Sequence, residues 1–163
     1  LAMPYLRKHF GNFTLVSTEE KLMEPITSDF FPNIDYNFKG FIDLVLKTDD
    51  GKYHVIDWKT CSWGWDSRRK ADKMTCYQLV LYKKFFAQKH NLDLNDVETH
   101  FALLKRTAKK NQVEIFRVTS GQKRIKNSLD MLEASIYNIV NKKYVKNRLA
   151  CARCPYKKTK YCT

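Results

Sequence analysis

Two runs near the middle of the chain, Gly40-Phe41-Ile42-Asp43-Leu44-Val45-Leu46 and Tyr53-His54-Val55-Ile56-Asp57-Trp58-Lys59, are β-prone and largely apolar, and each carries an aspartate among apolar neighbours. Thr48-Asp49-Asp50-Gly51-Lys52 separates them, with Gly51 suited to the left-handed position that closes a three-residue loop with a bulge, so Thr48 should face Lys52 in a hairpin. Upstream, Phe13 to Val16 predicts a first strand that Leu22 to Ile26 extends toward Pro25, and Ser28 to Asn37, with Pro32, Asn33 and Asp35, reads as a loop. Downstream, Thr60 to Ser67 reads as a loop and Arg68 to Lys89 as a helix, with Met74, Leu81 and Phe85 at helical spacing. Thr99 to Thr107 and Gln112 to Val118 predict two strands around the basic turn Ala108-Lys109-Lys110-Asn111. Ser120 should cap a last helix in which Ile125, Leu129, Leu132, Ile136 and Ile139 recur at three- and four-residue steps. There is no internal repeat, low-complexity stretch or linker.

At 163 residues the chain suits one domain, residues 1–163, with a basic cysteine-bearing tail over 142–163. It starts at Leu1 rather than Met, so part of the N-terminal sequence is expected to be missing. No apolar run approaches the roughly 20 residues that span a bilayer, which excludes a transmembrane protein. Lys and Arg total 30 against 17 acids, a formal charge of +13, while 13% aromatic content argues for a folded basic protein rather than a disordered tail. Such a surface attracts polyanions, chiefly nucleic acid. The five unevenly placed cysteines argue against a secreted disulfide framework and for an intracellular, reducing compartment.

If Thr48 pairs with Lys52, the hairpin register sets Asp43 directly opposite Asp57. Like charges at that spacing are destabilising. Lys59, two residues beyond Asp57, lies on the same face but is one cation against two anions. A divalent metal would compensate the pair and suits phosphodiester hydrolysis: it activates the phosphate and a bound water, while the lysine stabilises developing charge. The plain alternative is two solvent-facing acids and an ordinary strand lysine. The apolar neighbours of both aspartates favour a buried or cleft position instead.

Gly40-Phe41-Ile42-Asp43 followed by Ile56-Asp57-Trp58-Lys59-Thr60 resembles the Gly-x-x-Asp and Asp-x-Lys motifs of the RecB-like branch of the PD-(D/E)XK nucleases, and Gln78-Leu79-Val80-Leu81-Tyr82 resembles that branch's Gln-x-x-x-Tyr helix. The motifs occur in the family's order and cover Phe13 to Tyr82. The resemblance implies an α/β, restriction-endonuclease-like core: a central mixed sheet flanked by helices. It also implies a Mg²⁺ or Mn²⁺ ion held by Asp43, Asp57 and the Trp58 carbonyl, with Lys59 as the catalytic lysine. Gln78 and Tyr82, four apart and on one helix face, would face the site or its DNA; the plain alternative is a partly exposed Gln and a core Tyr. Glu19 or Glu20 could reach the same cleft, although an exposed strand-end acid is the commoner meaning. Members of this branch carry a metal-binding histidine on a helix well upstream of the first strand. Here His9 is the one upstream candidate and sits close to Phe13, so a truncated or absent motif is expected, with His54, His90 and His100 structural or exposed.

Cys151-Ala152-Arg153-Cys154 and Cys162 place three thiols near the C-terminus, a pattern that favours a metal over free thiols in a flexible tail. Several RecB-like nucleases resemble it, holding a [4Fe–4S] cluster with three C-terminal cysteines and one far upstream; Zn²⁺ is the alternative. Cys61 or Cys76 could substitute for the fourth ligand, though both fit better as small core residues. Lys105 to Lys126 is strongly basic with Glu114 as its only acid, and Lys142 to Lys160 has no acid, so both are candidate phosphate tracks. Trp63, Trp65, Tyr156 and Tyr161 could stack on unpaired bases. Together these features predict a Mg²⁺- or Mn²⁺-dependent deoxyribonuclease, an exonuclease of replication, recombination or repair, whose partner is DNA that is single-stranded or has a free end. The rivals are a non-catalytic nucleic-acid-binding domain on the same fold and a zinc-stabilised binding module.

Overall fold

The hairpin forms in the expected register. In a computed structural model that describes residues 2–27, 35–144, 146–160 and 162, β2 (Asn37–Thr48) and β3 (Tyr53–Cys61) pair antiparallel from Lys47↔Tyr53 to Leu44↔Ile56. The Thr48 N–H donates to the Lys52 carbonyl at 3.0 Å, and Gly51 holds φ +84°, the left-handed conformation that favours glycine. β1 (Phe13–Pro25) is one long strand, antiparallel to β2 along its length. β3 then pairs in parallel with β4 (Val97–Lys105), and β4 pairs antiparallel with β5 (Val113–Val118), giving a mixed five-stranded sheet in the order β1-β2-β3-β4-β5. Ser28–Ile34, part of the expected loop, lies outside the described residues, and Asn37 already belongs to β2.

A parallel β3–β4 pair requires a crossover connection, which the helical region between the strands supplies. The single helix expected over Arg68–Lys89 is two, α2 (Ser67–Lys70) and α3 (Lys73–His90). Asp66 caps the first. Asp72 caps the second, its carboxylate accepting from the Thr75 N–H at 2.8 Å and the Thr75 hydroxyl at 2.7 Å. An aspartate in that role begins a new helix instead of continuing the old one. Met74 falls in the first turn of α3 and is exposed, contrary to its expected core position, whereas Leu81 and Phe85 are buried. β3 also runs two residues beyond Lys59, so the expected 60–67 loop is shorter.

Each face of the sheet has its own cover. An unexpected helix, α1 (Met3–Phe10), sets Leu6 and Phe10 against Leu44, Leu46, Ile56, Ala102 and Ile115. On the other side α3 stacks Phe85 on Phe38 at 4.2 Å between ring centroids, and Phe86 approaches Tyr53.

The chain groups into two units, 1–130 and 131–163. α4 (Gln122–Val140) begins in the first and ends in the second. Ser120 stands two residues ahead of it, buried, and receives the Thr99 hydroxyl at 3.4 Å. Ile125 and Ile136 are buried, but Ile139, expected on the apolar face, is exposed. The second unit also contains a 3-10 turn, Arg148–Arg153. Among the described residues no helix is long and apolar enough to cross a membrane.

Candidate active site

Asp43 sits one residue beyond the end of the β2–β3 register at Leu44↔Ile56, whereas the β1–β2 register keeps step from Thr18↔Leu44 to Glu20↔Ile42 and sets Glu19 at the position opposite Asp43. Glu19 holds φ +49°, uncommon for a residue with a Cβ. Instead of facing Asp57 across a regular ladder, Asp43 accepts the backbone N–H of Trp58 through Oδ2 at 2.7 Å. That bond fixes the carboxylate and replaces a ladder hydrogen bond at the point where the strands part.

Asp57, on β3, is only 3% exposed. Its Oδ1 accepts from Gln78 Nε2 at 3.1 Å. Its Oδ2 has no aligned hydrogen-bond donor among the described residues, and the Lys59 ammonium stands 2.8 Å away as an ion-pair partner. Burial raises the Asp57 pKa above the ordinary carboxylate value, with the Asp43 charge adding to the rise and Lys59 opposing it. Gln78 Oε1 accepts from Lys59 Nζ at 3.1 Å, while Gln78 Nε2 also lies 3.1 Å from the Tyr82 hydroxyl. The α3 motif therefore reads the β3 motif directly, with one amide touching both Asp57 and Lys59. Gly40 makes this packing possible: a Cβ there would lie 2.7 Å from Tyr82 Cε1.

The sequence-predicted Asp43, Asp57, Lys59, Gln78 and Tyr82 are thus brought together by β2, β3 and α3. Trp58 turns its side chain to the opposite face, into the cluster beneath α1. The oxygen-only donor set, with one carboxylate pinned by an amide and a buried carboxylate oxygen lacking a hydrogen bond, fits a hard divalent cation.

Other candidates lie elsewhere. Glu20 is drawn to the end of α3, where Lys89 Nζ donates to it at 2.8 Å and His90 Nε2 lies 2.6 Å away; Glu19 is exposed. Trp65 is buried against Phe101 and Phe116 beneath Arg69, which removes it from any base-stacking surface, whereas Trp63 and Tyr156 are exposed and Tyr161 is outside the described residues. Cys61 and Cys76 are buried; Cys151 and Cys154 are half-buried and Cys162 exposed. Among the described residues the three tail sulfurs are not gathered as a ligand set; the one such group is His54, Glu98 and His100. The sequence pattern set those two histidines aside as structural or exposed. Both are buried, and the signal that joins them to Glu98 is the parallel pairing of β3 with β4, which places His54 beside Glu98. Several residues of the Lys105–Lys126 tract are engaged in ion pairs: Lys105 with Glu114, Arg117 with Glu98 and Lys126 with Asp130.

A mixed sheet whose central hairpin presents two aspartates and a lysine, read by a glutamine on the crossover helix, defines an α/β nuclease core. The model of the PD-(D/E)XK nuclease superfamily matches residues 3–159, and the chain belongs to that superfamily. Its members are nucleases that use divalent metals. Among solved structures, the crystal structure of SSO0001 is similar at a TM-score of 0.54 and 16% identity, over 96% of this chain and 66% of that one. A protein of Eubacterium rectale named "Putative exonuclease" is similar at a TM-score of 0.54 and 14% identity, over 94% of this chain and 53% of that one. The chain thus spans less than two thirds of either structure's length, and at these identities the likeness establishes the fold. No curated protein matches.

Proposed function

We propose that the chain is a Mg²⁺- or Mn²⁺-dependent deoxyribonuclease of the RecB-like branch that degrades DNA from a free end, with Asp43, Asp57, Lys59, Gln78 and Tyr82 as its working residues. The observation that carries this reading is the Asp57–Lys59–Gln78 arrangement: a buried carboxylate, an ammonium 2.8 Å away and an amide bonded to both. A protein that only bound nucleic acid would gain nothing from two acids here, because they repel phosphate.

Asp43, Asp57 and the Trp58 carbonyl would hold the cation, which when bound supplies Lewis acidity to the scissile phosphate and lowers the pKa of a water. Asp43 is held in place by the Trp58 N–H, so its carboxylate needs little reorganisation to serve as a ligand. Lys59 brings a positive charge to the edge of the carboxylate pair, where it orients the attacking water and stabilises charge developing on the phosphate. Gln78 fixes Asp57 and Lys59 relative to one another, and Tyr82 buttresses Gln78 from the next helical turn.

The likeness to the protein named as an exonuclease supports end-directed cleavage, and the +13 charge supports an anionic polymer as substrate. In the tail we read Cys151, Cys154 and Cys162 as ligands of a [4Fe–4S] cluster: three thiols this close in sequence favour a metal, and the cluster is what their resemblance to the C-terminal cysteines of RecB-like nucleases implies. The test is cleavage of linear and covalently circular single-stranded DNA of one sequence with Mg²⁺ or Mn²⁺. Loss of the linear substrate with the circle intact is expected. Cleavage of both would replace exonuclease by endonuclease, and cleavage of neither, with binding retained, would leave a non-catalytic binding domain.

A further inference from the structure

His54 and Asp57 are three residues apart on one strand and so point to opposite faces of the sheet. On the His54 face, parallel register sets His54 beside Glu98, and His100 follows two residues along β4 on the same face. His54 Nδ1 lies 3.1 Å from His100 Nε2, and both nitrogens lie 3.8 Å from Glu98 Oε2. Nitrogen and oxygen ligands bonded at about 2.0–2.2 Å in a tetrahedral shell stand about 3.3–3.6 Å apart. The three atoms therefore already form a triangle near the size of one coordination face.

The surrounding bonds turn the right atoms inward. The Thr48 hydroxyl donates to Asp50 Oδ1 and so receives the Nε2–H of His54 at 2.9 Å, which leaves the Nδ1 lone pair facing the triad. Arg117 Nη2 binds Glu98 Oε1 at 3.0 Å, leaving Oε2 for the same point. Both imidazoles are buried, and His100 Nδ1 has no hydrogen-bond partner among the described residues. A cavity of about 450 Å³, lined in part by His9, Asn12 and Asp50, opens beside the group and has room for a water.

We propose that His54, Glu98 and His100 form a second metal site, separate from the paired aspartates and from the tail cysteines, which takes Zn²⁺ with its fourth position open to the cavity. Two imidazoles and one carboxylate suit a borderline cation of this kind, whereas the oxygen-only set around Asp57 suits a hard one. An ion here would tie the β2–β3 turn, through Thr48, to β4 and β5, and it does not depend on the nuclease reading.

The experiment is zinc stoichiometry and affinity on the full chain, measured by competition with a chromophoric chelator. Glu98→Gln, at a half-buried position, should remove one equivalent of Zn²⁺ relative to the parent, and His100→Gln should weaken that site by about a hundredfold or more. Thr48→Val, which loosens the His54 ring, should cost about tenfold. Asp57→Asn and Cys151→Ser should leave the equivalent in place. Co²⁺ in the same site should give visible d–d absorption without a thiolate charge-transfer band. Equal zinc content in the parent and Glu98→Gln, or loss of the equivalent on Asp57→Asn or Cys151→Ser, would overturn the proposal. If His100→Gln does not fold, Glu98→Gln decides the matter.

Discussion

Gln78 bonds to Asp57 through its amide nitrogen at 3.1 Å while its amide oxygen receives Lys59 at the same distance, so a single side chain on α3 sets the spacing of the two β3 groups. Gln78→Ala should keep the fold, because the residue is half-buried and flanked by a well-packed helix face, yet it should slow cleavage by about 10- to 100-fold, as loss of an outer-shell partner does. Steady-state cleavage across a Mg²⁺ titration checks this, and an unchanged rate would remove Gln78 from the site.

Gly40 lies against the Tyr82 ring, where an added Cβ would come within 2.7 Å of a ring carbon. Gly40→Ala should cost about 1–3 kcal/mol by overpacking, which lowers the Tm of a chain this size by about 2–12 °C. The cost should largely vanish in a Tyr82→Ala background, a coupling that thermal melts of the four proteins in a double-mutant cycle would report.

Glu20 ties β1 to the end of α3. Burial alone would raise its pKa, but hydrogen bonds from Lys89, Ser17 and His90 outweigh that and hold it below the ordinary glutamate value. A depressed carboxylate contributes stability above its unfolded pKa and loses it as pH falls through the folded one. Glu20→Gln should therefore lower stability at neutral pH by about 1–3 kcal/mol, and the gap to the parent should close on acidification through and below the ordinary glutamate range. Denaturant melts at neutral and strongly acidic pH would show it; a gap that widens in acid would contradict the assignment.

Lys109 and Lys110 are exposed on the turn between β4 and β5. If they contact the backbone of single-stranded DNA, replacing both with Ala should flatten the dependence of log affinity on log salt by about 1.4, since each neutralised phosphate contributes about 0.7. Binding isotherms at several salt concentrations measure this, and an unchanged slope would place the phosphate track elsewhere.

The hairpin and the motif residues were legible because their signals are local: Gly51 fixes the turn, the turn fixes the register, and the register brings Asp43 near Asp57. The order Gly40, Asp43, Asp57, Lys59, Gln78, Tyr82 did the rest. What escaped was long-range. Nothing in the local pattern announces that the β2–β3 ladder stops at Leu44↔Ile56 and leaves Asp43 to the Trp58 N–H, and the break at Ala71 depends on Asp72 choosing a capping role over helix interior. Trp65 reads as an exposed loop aromatic until β4 and β5 supply Phe101 and Phe116. The His54–Glu98–His100 group arises only when β3 and β4, separated by the crossover, are laid side by side in parallel.

The central claim is that Asp57 serves chemistry rather than folding. The most direct measurement is Asp57→Asn followed by a nuclease assay with Mg²⁺ and a thermal melt in chelator on the same preparation. The substitution should abolish cleavage and leave the metal-free melt unchanged or raised, because it removes a buried charge next to Asp43. Full cleavage by Asp57→Asn, or a variant that unfolds in chelator while the parent stays folded, would contradict the account.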